Sequence, residues 1–108
     1  MDKLDKLFLR QLNLQTRLGY DPLKYDQRYF ELMYMGCITE LNEMLENTPW
    51  KPWKKSATLK KDELKKEVVD LWHFVINITL ACGITPKELY NMFEEKNEIN
   101  IRRQEHGY

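Results

Sequence analysis

Apolar residues along this chain recur at helical spacing, and no segment alternates in the manner of a strand. Leu4, Leu7, Gln11, Leu14 and Leu18 fall on one stripe at steps of three and four residues, which predicts a first helix from about Asp2 to Leu18. Gly19 and the Asp21-Pro22 pair end it. Phe30, Met33, Cys37, Leu41 and Met44 mark the apolar side of a second helix, from about Lys24 to Glu46. A loop held by Pro49 and Pro52 runs from Asn47 to about Thr58. A third helix is predicted from Lys60 to Cys82. From Val68 to Leu80 it is apolar nearly all round, the pattern of a central helix, and Gly83 stops it. Thr85, Pro86 and Glu88 carry the signals of a fourth N-terminus: a cap, a proline in the first turn and an acid able to close a capping box. That helix can reach Gln104. The expectation is one all-α domain over residues 1–108, built from four helices.

Composition narrows the function. With 108 residues there is material for a single domain. Lys plus Arg and Asp plus Glu are equal at 17 each, so no net charge points to nucleic acid or a membrane surface. No apolar run is long enough to span a bilayer. The opening MDKLDKLFLRQLNLQ is charged and amphipathic, without the apolar centre of a signal peptide. Cys37 and Cys82 sit among apolar residues and read as buried thiols, so a cytoplasmic, reducing location is expected. There is no glycine-rich phosphate loop and no arrangement of a Ser or Cys nucleophile.

The chemistry lies in two pairs of acids. Glu40 and Glu43 are three residues apart on the second helix, and Glu67 and Asp70 repeat that spacing on the third, so each pair shares a face. Glu40 falls within the stripe of Met33, Cys37, Leu41 and Met44. Leu64, Val68, Leu71 and Phe74 flank the second pair. A buried lone carboxylate is costly, so buried acids are paired or bind metal. Either pair alone reads as edge acids partnered by Lys65 or Lys66. Both pairs together, facing across a helix interface, form an all-oxygen cage for a hard cation, Mg²⁺ or Mn²⁺.

The order E-x-x-E, spacer, E-x-x-D resembles the metal site of the all-α nucleoside triphosphate pyrophosphohydrolases, the superfamily of MazG-like proteins and dimeric dUTPases. WKPWK (Trp50 to Lys54), VVDLWHF (Val68 to Phe74) and KNEINIRRQEHGY (Lys96 to Tyr108) resemble the dimeric dUTPases in the same order. The resemblance covers about residues 30 to 108 and implies a compact, phage-type relative that acts in the host cytoplasm. The dimeric dUTPases are longer, with two related halves, whereas this chain holds one four-helix unit. The implied activity is Mg²⁺-dependent cleavage of dUTP to dUMP and pyrophosphate, with Glu40, Glu43, Glu67 and Asp70 as ligands and Glu40 orienting the water. The alternatives are a MazG-like enzyme for dCTP or a broader set of nucleotides, and a non-catalytic helical assembly protein of the same fold.

Other candidates gain weight beside that site. Lys96, Asn100 and Arg103 share a face of the fourth helix. Alone they read as a solvated helix end; beside an acid cage they suit a polyphosphate, with Lys54 of the loop as a further cation. Trp50 and Trp53 either cover the core or wall a base pocket, and a tight wall disfavours the methyl of dTTP by about 1–3 kcal/mol. Gln11 and Asn77 interrupt apolar stripes. Each is either satisfied by neighbouring backbone or reads a pyrimidine edge, since an amide offers donor and acceptor together, and the resemblance favours the second. His73, between Trp72 and Phe74, reads as a buried, satisfied histidine or as a partner to one of the metal ligands, and not as a ligand itself. The apolar third helix and the half-sized chain together imply a homodimer or higher oligomer with an interface on the order of 2,000 Å² or more.

Overall fold

A computed structural model describes residues 1–107; Tyr108, the last residue of the tail that carries the resemblance, lies outside the described residues. Four helices follow one another: α1 (Lys3–Arg17), α2 (Gln27–Glu46), α3 (Lys61–Ala81) and α4 (Pro86–Glu105). No strand occurs among the described residues. No single helix is long and apolar enough to cross a membrane.

Local chemistry sets the helix ends. At α1 the Asp2 carboxylate accepts from the Asp5 N–H at 2.9 Å, and the Asp2 N–H donates to the Asp5 carboxylate at 3.2 Å. This reciprocal box uses two aspartates. Asp26 caps α2 by accepting from the Tyr29 N–H at 2.8 Å, which is why the helix starts at Gln27 and not at Lys24. Thr85 caps α4 through the Glu88 N–H at 3.1 Å, with Pro86 in the first turn. No side chain caps α3. Its entry is fixed by the Lys60 N–H, which donates to the Asn47 carbonyl at 2.8 Å and so closes the intervening loop.

Helices α2 and α3 run antiparallel along one seam. Met33 meets Asn77, whose Nδ2 donates to the Met33 sulfur at 3.3 Å. One turn on, a Cβ added at Gly36 would overlap the Phe74 ring. A further turn on, Glu40 faces Asp70 and Glu67. Each step of three or four residues up α2 is matched by the same step down α3. Glycine is therefore favoured at position 36: a side chain there would have to displace the Phe74 ring or part the helices just beside the acids.

Two small apolar clusters tie the other helices to this pair. Phe8 of α1 packs with Ile76 and Leu80 of α3, flanked by Leu4, Leu12 and Leu89. Tyr29 and Met33 pack with Ala81, flanked by Leu32, Phe74 and Ile78. The Tyr29 hydroxyl donates to Gln15 Oε1 at 2.9 Å, which satisfies one of the two buried glutamines of α1. Burial, with a smaller contribution from Tyr20, pushes the Tyr29 hydroxyl up to about 12, so it stays a donor.

Four expectations change. The buried stripe of α1 is Leu4, Phe8, Gln11, Leu12 and Gln15, while Leu7, Leu14 and Leu18 face outward. The stripe is rotated because Tyr29 takes Gln15 as its partner. Leu41 of α2 is also exposed, since it lies just beyond the seam. Cys82 is exposed because it caps α3 one residue after the last buried position, Ala81; Cys37 is buried as expected. Helix α3 has an exposed apolar side, with Val69, Val75 and Trp72 open and Trp72 59 % accessible. Helix α4 turns 98° from α3 and has no buried residue. Its backbone comes close to α1 alone among the helices, and Leu89 near its start flanks the cluster of Phe8, Ile76 and Leu80.

Gly36→Ala is expected to destabilise the protein by about 1 kcal/mol or more, because overpacking of about 1–3 kcal/mol outweighs the gain of up to about 1 kcal/mol in helix propensity. Urea unfolding checks this. Adding Phe74→Leu should recover part of the loss, so the double variant should be less destabilised than the sum of the two.

Candidate active site

The seam brings three of the four sequence-predicted acids together. Glu40, Glu67 and Asp70 each offer a carboxylate oxygen within 4.8 Å of the others. Glu40 and Glu67 are half-buried, and Asp70 lies at the mouth. Oε2 of Glu40 and Oε2 of Glu67 are buried with no hydrogen-bond partner. None of the four acids takes part in an ion pair among the described residues; Lys66, a sequence-stated partner for them, bridges Glu63 at 3.4 Å instead. Glu43 is exposed, one turn beyond Glu40, and close enough to act on its charge.

The Glu40 carboxyl is pushed up from an ordinary value near 4.5 to about 7. Burial is the largest cause, followed by the interaction with Glu67 and the charges of Glu43 and Asp70. Concentrated negative charge with orphaned oxygens fits a divalent cation. The donor set is all oxygen, which suits Mg²⁺ or Mn²⁺ over softer metals. Bonds of about 2.1 Å put oxygens on one cation no more than about 4.2 Å apart, so the three carboxylates, now within 4.8 Å of one another, would have to close in on it.

Beside the cluster, on the α1 side of α3, lies a groove of about 540 Å³. Leu4, Leu7, Val69 and Ile76 make it apolar; Arg10, Gln11, Trp72 and His73 supply its polar and aromatic groups. The Gln11 residue is 5 % accessible, and no hydrogen bond among the described residues engages its side chain. His73 lies on this groove and is exposed, contrary to the buried histidine expected, because α1 packs against only part of this face of α3. Its Nδ1 lies 2.9 Å from the Val69 carbonyl oxygen. Sequence reasoning had not picked out Arg10 or Trp72. Val69, His73, Ile76 and Leu80 recur at steps of four, three and four, and that stripe was the available signal for a surface shared with α1.

The remaining candidates are elsewhere. Asn77 is buried in the seam at 2 % exposure, with its Oδ1 unpartnered, and does not line the groove. Trp50 and Trp53 pack edge to face at 5.7 Å on the α2–α3 loop. Lys51 lies over the Trp50 ring and bridges Glu46 at 3.6 Å. Lys54, Lys51 and Lys60 surround a small polar recess of about 170 Å³ with Thr48, Ser56 and Thr58. Lys96, Asn100 and Arg103 are carried off by α4 and do not meet the acids of their own chain.

The fold and the acid seam define an all-α protein with a candidate cation centre. A family model described as dUTPase matches residues 3–87, and the chain belongs to that family. It is similar to the dCTP pyrophosphatase of Enterobacteria phage T4, at 30 % identity over 92 residues, covering 69 % of this chain and 54 % of the relative. It is likewise similar to the dCTP pyrophosphatase of Enterobacteria phage LZ5, at 32 % identity over 71 residues, covering 55 % of this chain and 41 % of the relative. The chain thus spans about half the length of these curated relatives. No solved structure matches it.

The raised Glu40 value has a consequence for stability. Without metal, the folded state holds a proton that the unfolded state releases between about pH 4.5 and 7. This contribution is fully present below about pH 4.5 and lost as pH rises through about 7. In chelator, the Tm of the wild type should therefore fall across this window relative to Glu40→Gln, whose residue 40 carries no ionisable group. Mg²⁺ or Mn²⁺ should raise the Tm most at the alkaline end and release a proton on binding. Thermal melts across pH, with and without metal, check both.

Proposed function

We propose that this domain is a Mg²⁺-dependent pyrophosphohydrolase of pyrimidine deoxynucleoside triphosphates, acting on dUTP. The observation that carries the reading is the meeting of Glu40, Glu67 and Asp70 with two buried, unpartnered oxygens. Family membership supports it. Glu43 joins the set from the adjacent turn. Mg²⁺ bound there supplies Lewis acidity toward phosphate oxygens and water, and Mn²⁺ fits the same donors. Glu40 orients the attacking water. The water oxygen bonds to the α-phosphorus as the bond to the bridging oxygen breaks, and pyrophosphate leaves with that oxygen. Lys54 of the loop recess meets the leaving phosphates.

The base belongs, in this reading, in the groove beside the cluster. Leu7, Val69 and Trp72 offer apolar contact to its face, and Gln11 reads its edge. A primary amide pairs with uracil in one orientation and with cytosine after a 180° flip. Nothing bonded to Gln11 fixes its orientation, so this residue accommodates both bases. That observation, with the two relatives named dCTP pyrophosphatases, favours dCTP as a second substrate. Asn77 acts from behind the seam as a positioning residue, and Trp50 and Trp53 close the site from the loop.

Pyrophosphate release from a panel of deoxynucleotides with Mg²⁺ is the test. Turnover of dUTP, or of dUTP and dCTP, well above dTTP and the purines is expected; equal turnover of all would contradict the base pocket. Glu40→Gln and Asp70→Asn should each lower kcat by more than the roughly 10–100-fold typical of outer-shell partners, with helix content by circular dichroism unchanged. Gln11→Leu should lower kcat/KM about 10-fold or more, the scale of a lost hydrogen bond to a buried polar group. Full activity in excess chelator would remove the metal reading.

A further inference from the structure

The groove beside the cluster contains one hydrogen-bond acceptor that the fold itself fixes. Nδ1 of His73 lies 2.9 Å from the carbonyl oxygen of Val69, one turn earlier on α3. A carbonyl oxygen only accepts, so Nδ1 carries the hydrogen, and Nε2 of the neutral ring is left with a lone pair. His73 is exposed and lines the groove, which makes that lone pair available to an occupant. The other polar groups of the lining behave differently. Arg10 and Trp72 only donate. The amide of Gln11, buried and engaged by no hydrogen bond among the described residues, can turn either way.

The two pyrimidines differ at adjacent edge positions. Cytosine has an amine at C4 and an acceptor at N3. Uracil has a carbonyl oxygen at C4 and an N–H at N3. A primary amide bridges positions 3 and 4 of either base by turning over, so Gln11 alone does not choose between them. Its bridge leaves one slot at position 4: the second hydrogen of the cytosine amine, or the second lone pair of uracil O4. The remaining edge atom, O2, is an acceptor in both bases and suits a donor such as Arg10. For neutral His73, which offers an acceptor, the second amine hydrogen of cytosine is the donor left to meet. Protonated His73 offers Nε2–H and meets uracil O4 instead.

We propose that the protonation state of His73 selects the base: with a neutral imidazole the groove prefers dCTP, and with an imidazolium it prefers dUTP. This rests on the reading of the groove as the base site, and it gives a pocket that admits both pyrimidines a preference that follows pH. The charged groups on this side of the fold are Arg10 of α1, with Lys3 two turns before it, and Asp70, one turn before His73 on α3, with Glu67 beyond it. They set where the change falls within the imidazole range. Its direction follows from the hydrogen-bond pattern, because gain of a proton replaces an acceptor by a donor.

The test is kcat/KM for dCTP and for dUTP at saturating Mg²⁺, from about pH 5.5 to 8.5. The ratio of dCTP to dUTP should rise about 10-fold or more over that range, the scale of one buried polar group left unpaired. Glu40 ionises in the same interval, but under this reading it acts on the phosphates that both substrates share, so its effect cancels in the ratio. His73→Gln should flatten the profile, since an amide does not titrate. Nitrogen NMR of the wild type at the alkaline end should place the imidazole hydrogen on Nδ1. The wild-type profile and the NMR need no variant, so both remain decisive if His73→Gln fails to fold. A wild-type ratio that is flat or falls with pH overturns the proposal. So does a ratio that still follows pH in folded His73→Gln, or a hydrogen on Nε2; with both pyrimidines turned over, these results leave the groove reading intact. Turnover of neither dCTP nor dUTP overturns the groove reading and the selection with it.

Discussion

The candidate site depends on close contact between two antiparallel helices, which holds like charges together. Gly36 lets α2 approach the Phe74 ring, and the acids one turn away are carried into mutual range. Each fully charged pair at 4.8 Å costs about 3 kcal/mol at an effective dielectric near 20, and less where Asp70 meets solvent. No lysine or arginine offsets this charge among the described residues. A divalent cation would do so, and under the proposed function it would also supply the chemistry that phosphoryl transfer needs.

The proposed handling of substrate rests on what surrounds the seam. The groove is on the α1 side, so the position of α1 sets its width, and α1 is anchored by Phe8 in the core and by the Gln15–Tyr29 hydrogen bond. The two buried glutamines of α1 thus have different surroundings. Gln15 is satisfied inside the protein, whereas Gln11 opens onto the groove. The lysine-rich loop lies at the same end as the acids because its two ends are joined by the Lys60–Asn47 bond.

Much of this was legible in the chain. The four helices, their capping signals and the two acid pairs depend on short-range spacing, which a sequence displays directly. Positions decided by tertiary contact were less so. Of the expected α1 stripe, Leu4 and Gln11 turn inward but Leu7, Leu14 and Leu18 do not; the polar Gln15 and the aromatic Phe8 take their place because Tyr29 and Ile76 await them. Gly36 looked unremarkable in a helical run, since its reason is a ring on another helix. Helix α4 shows the limit most clearly: the shared face of Lys96, Asn100 and Arg103 was readable, but where that face points depends on the 98° turn at Gly83 to Thr85.

The central claim is that the α2–α3 seam is a cation site. Anomalous diffraction from crystals grown with Mn²⁺ tests it most directly. A manganese peak bonded to oxygens of Glu40, Glu67 and Asp70, and absent in Asp70→Asn crystals, is the predicted result. No peak at the seam under saturating Mn²⁺, with these carboxylates bonded instead to lysine or arginine side chains, would contradict the account.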